Sequence, residues 1–180
     1  MTAEDGNSSR SLVVGVPRSG PLVDDVRMQD LWLALQKRSW RSLAVMSASK
    51  GVGTLTAANA LAKIAWWYTG VPSCVFDMRD LSLRLLEHQL RDMAGQLQGG
   101  ERIFIALRST SENPTAVPIA QAADAAVLCV ELGQTDMKAA QRTLQAVGRQ
   151  RFVGTLLVPR EDGSEKSFTS FGPSGGMGGG

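Results

Sequence analysis

The sequence has few of the side chains from which metal sites and disulfide frameworks are built. Its 180 residues include one histidine and two cysteines. His88 lies on a helical segment without a second metal ligand nearby, and Cys74 and Cys129 both fall within apolar runs. We therefore interpret the two cysteines as buried, reduced thiols, and we predict no metal site.

Long apolar runs are lacking as well. No stretch approaches the ~20 apolar residues needed to cross a bilayer, and the amino-terminal segment has no apolar core of a secretory signal. No basic run with interleaved aromatic residues is present, which argues against binding to nucleic acid. We expect a cytoplasmic protein that reaches the inner membrane only through a partner.

Between two polar ends, short apolar runs alternate with helical patterns. Residues 1–20 and 161–180 are rich in small and polar residues, and we expect both to be flexible flanks of one domain at 21–160. A first helix is predicted at roughly 22–38. The alternation predicts an α/β fold: a doubly wound, mostly parallel sheet with helices on both faces. The runs predicted to form buried strands lie at 42–48, 72–77, 102–108, 125–132 and 152–158.

The turn after the first predicted strand resembles a phosphate-binding loop without its lysine. SASKGVGTLTAANALA (47–62) has Ala48 and Gly53 at the Walker A spacing, but Thr54 stands in the lysine position and Leu55 in that of the magnesium-binding hydroxyl. The glycines and the helix start suit an anion, whereas the charge-neutralising lysine is missing. An alternative is a tight turn capped by Thr54. The candidate residues of the degenerate loop are Ala48, Lys50, Gly51, Gly53, Thr54 and Thr56.

This stretch also resembles the Walker A segment of bacterial tyrosine autokinases, the cytoplasmic partners of polysaccharide co-polymerases. That family shares its fold with the MinD and ParA ATPases. Upstream, PLVDDVRMQDLWLAL is similar to the family's E-x-x-R-x-x-R oligomerisation helix, with Asp24 for the acid, Arg27 for the first arginine and Asp30 in place of the second. The resemblance extends over roughly residues 20 to 160. It implies a P-loop NTPase-like domain of the MinD/ParA kind.

The departures from the family pattern fall on its catalytic positions. Its Asp-x-Asp motif reads CVFDMRD, which keeps Asp77, places Arg79 at the second acid and has Asp80 one position late. The Walker B strand reads IFIALRST, without its aspartate, and Val158 stands where the family has an adenine-contacting asparagine. Phosphoryl transfer depends on such groups, and losing one commonly costs about 10²- to 10³-fold in rate. The sequence therefore predicts no catalytic residue, no required cofactor and at most weak binding of Mg-ATP.

A second loop lies on the predicted ligand side of the sheet. RSTSENPT (108–115) is polar and follows the third predicted strand. It is interpreted either as a loop over a vestigial site or as an ordinary surface loop.

The resemblance implies a catalytically degenerate, cytoplasmic subunit that regulates or assembles the machinery of exopolysaccharide synthesis or export. Two alternatives stay open. One is an active autokinase or ATPase with a rearranged site, in which Lys50 and Asp77 or Asp80 substitute for the missing groups. The other is a MinD/ParA-like positioning protein.

A subunit without catalysis acts by binding, and two regions are candidates for the contact. The first helix is the family's subunit-contact element, and AWWY places three aromatic residues together at a helix end. The alternative for these aromatics is that two are buried and one covers the surface. The expected partner is a protein of a membrane polysaccharide machine, an active relative or a second copy of the chain. The interface candidates are Asp24, Arg27, Trp32, Trp66 and Trp67.

Overall fold

The structure is a computed structural model that describes residues 10–13, 26–50, 53–131 and 135–157. Within those ranges, six strands form one sheet. The strands are β1 (Arg10–Val13), β2 (Ser42–Ser47), β3 (Ser73–Asp77), β4 (Arg102–Leu107), β5 (Ala125–Val130) and β6 (Phe152–Leu157). The helices are α1 (Val26–Gln36), α2 (Thr54–Thr69), α3 (Leu83–Gln98), α4 (Ala116–Ala122) and α5 (Met137–Val147), with a 3₁₀ turn at Arg149–Arg151.

The sheet is parallel except at one edge. Its strand order is β1-β3-β4-β2-β5-β6, so β2 lies between β4 and β5. The strands from β2 to β6 pair in parallel, and β1 pairs antiparallel with β3. From β2 the chain passes to β3, returns to β4, and then crosses β2 to reach β5 and β6. This arrangement confirms the predicted doubly wound, mostly parallel sheet.

Both faces of the sheet are covered by helices, which explains why the strands read as continuous apolar runs. On one face, strand residues such as Val45 and Phe104 pack with residues of α1 and α2. On the other face, their neighbours Met46 and Ile105 pack with residues of α3 and α4. The two cysteines lie buried in β3 and β5, as predicted. Burial raises the pKa of the Cys129 thiol to about 12, so this side chain stays protonated.

The edge strand β1 is the clearest difference from the prediction, which treats all of residues 1–20 as flexible. Residues 10–13 instead pair with β3, with Arg10 opposite Phe76 and Val13 opposite Ser73. Without β1, the edge of β3 would present unpaired backbone N–H and C=O groups. The four residues of β1 supply the hydrogen-bond partners of these groups. A segment of four residues is too short for its own sequence to predict a strand. The rest of the expected flexible flanks lies outside the described residues.

The loops that follow β2, β3 and β4 all leave the sheet at its carboxyl edge. Helix α2, which follows β2, packs on one face, whereas α3 and α4 pack on the other. After the neighbouring strands β2 and β4, the chain therefore turns toward opposite faces of the sheet. In open α/β sheets such a divergence opens a crevice in which ligands bind.

Candidate functional site

An open cleft of about 750 Å³ lies at the carboxyl edge of the sheet. It is built by three loops, because the ends of the adjacent parallel strands β3, β4 and β2 lie side by side. Two of the residues predicted from sequence, Lys50 and Asp80, meet here although they belong to different loops. The lining residues are Lys50, Arg79, Asp80, Arg108, Ser111, Glu112 and Asn113.

Asp77 is the last residue of β3, and its carboxylate is held by Arg79. The guanidinium donates from Nε to Oδ1 and from Nη2 to Oδ2, both at 2.9 Å, and the backbone N–H of Arg79 donates to Oδ1 at 3.2 Å. Such bidentate pairs are strong and geometrically specific. Both oxygens of Asp77 are therefore occupied by Arg79.

A second bidentate pair connects the loops after β3 and β4. Arg108 donates from Nε to Asp80 Oδ1 at 2.9 Å and from Nη2 to Asp80 Oδ2 at 3.1 Å. Its Nη1 also lies 3.6 Å from Glu112 Oε1. The hydrogen bond from Arg108 lowers the pKa of Asp80, and the same bond raises the pKa of Arg108. The Asp80 side chain is 79% exposed, so this pair is in contact with solvent.

The polar loop 108–115 lines the cleft and is tied to the loop after β3. The side-chain amide of Asn113 donates to the carbonyl oxygens of Arg79 and Leu81, both at 3.2 Å. Its Oδ1 accepts from the backbone N–H and the hydroxyl of Thr115. Of the two interpretations of this loop, its position fits a loop over the site.

The degenerate phosphate loop lies partly on the cleft and partly in the core. Ala48 is buried, and its N–H donates to the Cys129 carbonyl at 2.9 Å. Lys50 is exposed and lines the cleft, and Thr56 is exposed in the first turn of α2. Gly53 is the residue before α2, and Gly51 lies outside the described residues.

Thr54 does not have the capping role that the sequence suggests as an alternative. It is the first residue of α2, it is 1% exposed, and its side chain does not cap the helix. Its Oγ1 is buried without a hydrogen-bond partner among the described residues. The capping prediction is wrong because Gly53 holds the cap position, which places Thr54 one residue too far along the helix.

The residues present do not fit Mg-nucleotide chemistry of the kind found in the proteins that the sequence resembles. Thr54 is buried in the lysine position, and Ala106 and Leu107 are fully buried where the Walker B acid would stand. The retained Asp77 is paired with Arg79. Across the described ranges, no group of three or more His, Cys, Asp or Glu residues could hold a metal ion. The cleft combines three cationic side chains, which can bind an anion, with the carboxylates of Asp80 and Glu112.

The predicted interface residues differ in whether the structure describes them and in how exposed they are. Asp24 lies outside the described residues, and of Arg27 only the backbone, in α1, is described. Trp32 is 4% exposed, packs edge-on against Trp40 and stacks on Tyr68 with ring centroids 5.9 Å apart. Trp32 therefore belongs to the core, where a partner cannot reach most of its surface.

The aromatic end of α2 divides between core and surface. Trp66 and Trp67 are half-buried, and Tyr68 is exposed. Tyr68 is thus the exposed aromatic ring next to Trp32, and sequence reasoning had not singled it out. Helical spacing shows that three adjacent aromatics point in different directions, but it does not show which of them faces solvent.

Comparisons with family models, curated proteins and solved structures find no match to this chain. What the fold and the cleft define is a class: a doubly wound α/β domain consistent with the P-loop NTPase-like architecture, with ion-paired loops at the edge where such domains bind ligands. Among the described helices, none has the length and apolar character to cross a membrane.

Proposed function

We propose that this chain is a catalytically degenerate relative of the bacterial tyrosine-autokinase domain. It would act as a cytoplasmic subunit that regulates or assembles the machinery of exopolysaccharide synthesis or export. The assignment to that process rests on the sequence resemblance over residues 20–160. The proposed loss of catalysis rests on one observation: both oxygens of Asp77 are occupied by Arg79.

That ion pair opposes metal-assisted phosphoryl transfer for a physical reason. A magnesium ion at Asp77 would have to displace a bidentate guanidinium that is only 21% exposed. Mg²⁺ also gives up its water reluctantly and relies on carboxylates and phosphate oxygens as ligands. With Thr54 at the lysine position, neither of the two main sources of transition-state charge stabilisation is in place.

Calorimetric titration with Mg-ATP and an assay of phosphate release test the loss of catalysis. We expect binding no tighter than about millimolar, which corresponds to roughly −4 kcal/mol, and hydrolysis at background. Thr54→Lys should not restore turnover, because Asp77 would remain paired with Arg79 and β4 would still lack an acid. Restored hydrolysis from that single change would show that the rest of the site is intact.

The active-enzyme alternative has one observation in its favour, since Lys50 and Asp80 line the same cleft. In that alternative Lys50 neutralises the phosphates and Asp80 holds the metal. Asp80 is, however, bound by Arg108 through both oxygens. Micromolar affinity for Mg-ATP, or turnover that Lys50→Ala abolishes, would support the alternative and overturn the degenerate assignment.

The process is tested in the native cell. Deleting the gene should change the amount or length of exopolysaccharide, and re-expressing the wild-type chain should restore the wild-type product. Mislocalised cargo or division sites with unchanged polysaccharide would favour the MinD/ParA-like positioning alternative.

The contact surface is tested separately with variants at the proposed interface. Arg27→Glu should weaken association with the partner or with a second copy and leave the circular dichroism spectrum intact. Trp67→Ala should have the same effect if the aromatic end of α2 contributes an anchor. Unchanged assembly by light scattering and pull-down with both variants would place the contact elsewhere.

A further inference from the structure

The cleft brings together three cationic side chains from three loops: Lys50 after β2, Arg79 after β3 and Arg108 after β4. The two arginines each bind an aspartate of the chain in the bidentate manner. Arg108 has a second carboxylate nearby, since its Nη1 lies 3.6 Å from Glu112 Oε1. Among the described residues, none forms an ion pair with Lys50. An arginine presents this same pair of donors to a carboxylate or to a phosphate group.

The two arginine–aspartate pairs differ in how easily a competing anion could displace the aspartate from its arginine. Arg79 and Asp77 are two residues apart, and their side chains are 21% and 28% exposed. Arg108 and Asp80 belong to different loops, and the Asp80 side chain is largely exposed. Exposed pairs contribute little net free energy, because water solvates the separated charges well. The Arg108–Asp80 pair is therefore the exchangeable one.

We propose that Asp80 occupies on Arg108 the place of an anionic ligand, and that the cleft binds a phosphate-bearing small molecule through Arg108 and Lys50 without a divalent cation. The proposal rests on the proposed function in one respect, the loss of metal chemistry. When the ligand binds, its phosphate oxygens replace the Asp80 carboxylate on Arg108. Asp80 then turns to solvent, which it already contacts.

The number of acceptor oxygens favours a phosphate over a single carboxylate. A carboxylate has two acceptor oxygens, and the two parallel N–H donors of the Arg108 guanidinium satisfy both of them. A phosphate or diphosphate has further oxygens and charge, which two other lining groups can meet: the amine of Lys50 and the hydroxyl of Ser111. The cleft volume of about 750 Å³ lies within the range of ~300–1,000 Å³ usual for small-molecule sites.

Calorimetric titration of the full chain with inorganic pyrophosphate in EDTA tests the proposal. We expect saturable binding that added Mg²⁺ does not strengthen, and weaker binding of citrate as the carboxylate probe. Asp80→Asn removes the competing charge and should tighten pyrophosphate binding about 3- to 5-fold, the ratio that matches an exposed ion pair. Arg108→Gln should weaken it at least about 10-fold.

Matched controls come from α3, where Asp92 pairs with His88 and Arg91 pairs with Glu87. Asp92→Asn and Arg91→Gln make the same changes of charge outside the cleft and should leave pyrophosphate affinity unchanged. Melting curves check that each variant is folded. Arg108→Lys serves as a second variant. It keeps the positive charge but loses the paired N–H donors of the guanidinium, so it should bind pyrophosphate with intermediate affinity.

Several results would overturn the proposal. These are no pyrophosphate binding in the wild-type chain, binding that requires Mg²⁺, citrate binding as tight as pyrophosphate, or an Asp80→Asn variant with unchanged affinity. Each of them leaves the degenerate assignment standing. Conversely, Mg-dependent ATP hydrolysis would overturn the degenerate assignment and, with it, the metal-independent site proposed here.

Discussion

At the amino edge of the sheet, where the parallel strands begin, charged side chains are fixed to backbone groups and aromatic rings. At the carboxyl edge, where the same strands end, charged side chains pair with one another across loops in an open cleft. Both edges use arginine and aspartate. The difference lies in what each charge contacts, and it separates the part of the molecule that maintains the fold from the part proposed to bind a ligand.

The amino edge joins neighbouring strands through Asp124. Its Oδ2 accepts from the backbone N–H groups of Arg41 and Ser42, at 2.8 and 2.9 Å, and from the Ser42 hydroxyl at 2.8 Å. The backbone N–H of Asp124 donates to the same hydroxyl at 2.9 Å. Asp124 thereby ties the start of β5 to the start of β2.

Two aromatic rings lie near Arg102, the first residue of β4. The guanidinium carbon of Arg102 lies 4.8 Å from the ring centroid of Trp40 and 5.7 Å from that of Trp32. Desolvation lowers the pKa of Arg102. Trp40 in turn packs edge-on against Phe104 and donates from its indole nitrogen to the Leu35 carbonyl. These contacts hold α1 against the sheet.

The largest expected effect is at this aromatic cluster. Trp40→Ala removes a ring that is 5% exposed and contacts two other aromatic rings. We expect a loss of about 3–5 kcal/mol in the free energy of unfolding, the usual cost of a cavity of this kind. Urea titration followed by circular dichroism measures it. Trp67→Ala changes the same residue type at a half-buried position and should cost clearly less; equal losses would contradict the role given to Trp40.

The next largest effect is at Asp124. Asp124→Ala leaves two backbone N–H groups and a buried serine hydroxyl without their acceptor, and we expect a loss of about 1–2 kcal/mol. Asp92→Ala on α3 is the control, because its exposed pair should contribute no more than about 0.5 kcal/mol. The same urea titration compares the two. A loss at Asp124 no greater than at Asp92 would show that the link between β2 and β5 contributes no stability.

The contribution of Asp124 should also depend on pH. Desolvation raises the pKa of this carboxyl, but the hydrogen bonds from Arg41 and Ser42 together lower it below its ordinary value. A carboxyl with a lower pKa in the folded state stabilises the protein above its unfolded pKa, about 3.9, and this stabilisation is lost as the pH falls through the folded pKa. The difference in melting temperature between wild type and Asp124→Asn should therefore be full at pH 6 and shrink below pH 4. A constant difference would mean that the charge is not involved.

The smallest expected effect is at the carboxyl edge. Asp80→Asn breaks an exposed pair between loops, and the free energy of unfolding should change by no more than about 0.5 kcal/mol. Asp80→Asn should thus alter pyrophosphate binding and leave stability almost unchanged. Asp124→Ala should lower stability and leave pyrophosphate binding unchanged. A destabilisation by Asp80→Asn as large as that of Asp124→Ala would remove the distinction between the two edges.

Much of the architecture was accessible from sequence because a strand buried on both faces must be apolar along its length. The run at 42–48 became β2 at Ser42–Ser47, and the run at 102–108 became β4 at Arg102–Leu107. The first helix lies inside its predicted range, beginning at Val26 and ending at Gln36. The remainder of that range before Val26 is not described by the structure. Strand β1 was missed, because an edge strand of four residues is selected by the neighbour it pairs with.

The candidate site was accessible only in part. Its place at the end of the first buried strand followed from the Gly-x-Gly turn, which contains Lys50. Asp77 and Asp80 were singled out through the resemblance to an Asp-x-Asp motif. Arg108 was missed as a member of the site. It directly follows β4, a position that points to the carboxyl edge, but its partner Asp80 is 28 residues away in sequence. No local pattern reports a pair at that separation.

The sequence by itself determined the fold class, because apolar periodicity is a local property of the chain. Tertiary structure alone decided that Arg79 occupies both oxygens of Asp77, that Arg108 joins Asp80 across two loops, and that Trp32 lies in the core. These outcomes depend on strand order, which places the ends of β3, β4 and β2 side by side. Strand order is set by the free energy of packing the whole sheet between its helices, and no single segment of the sequence encodes that sum.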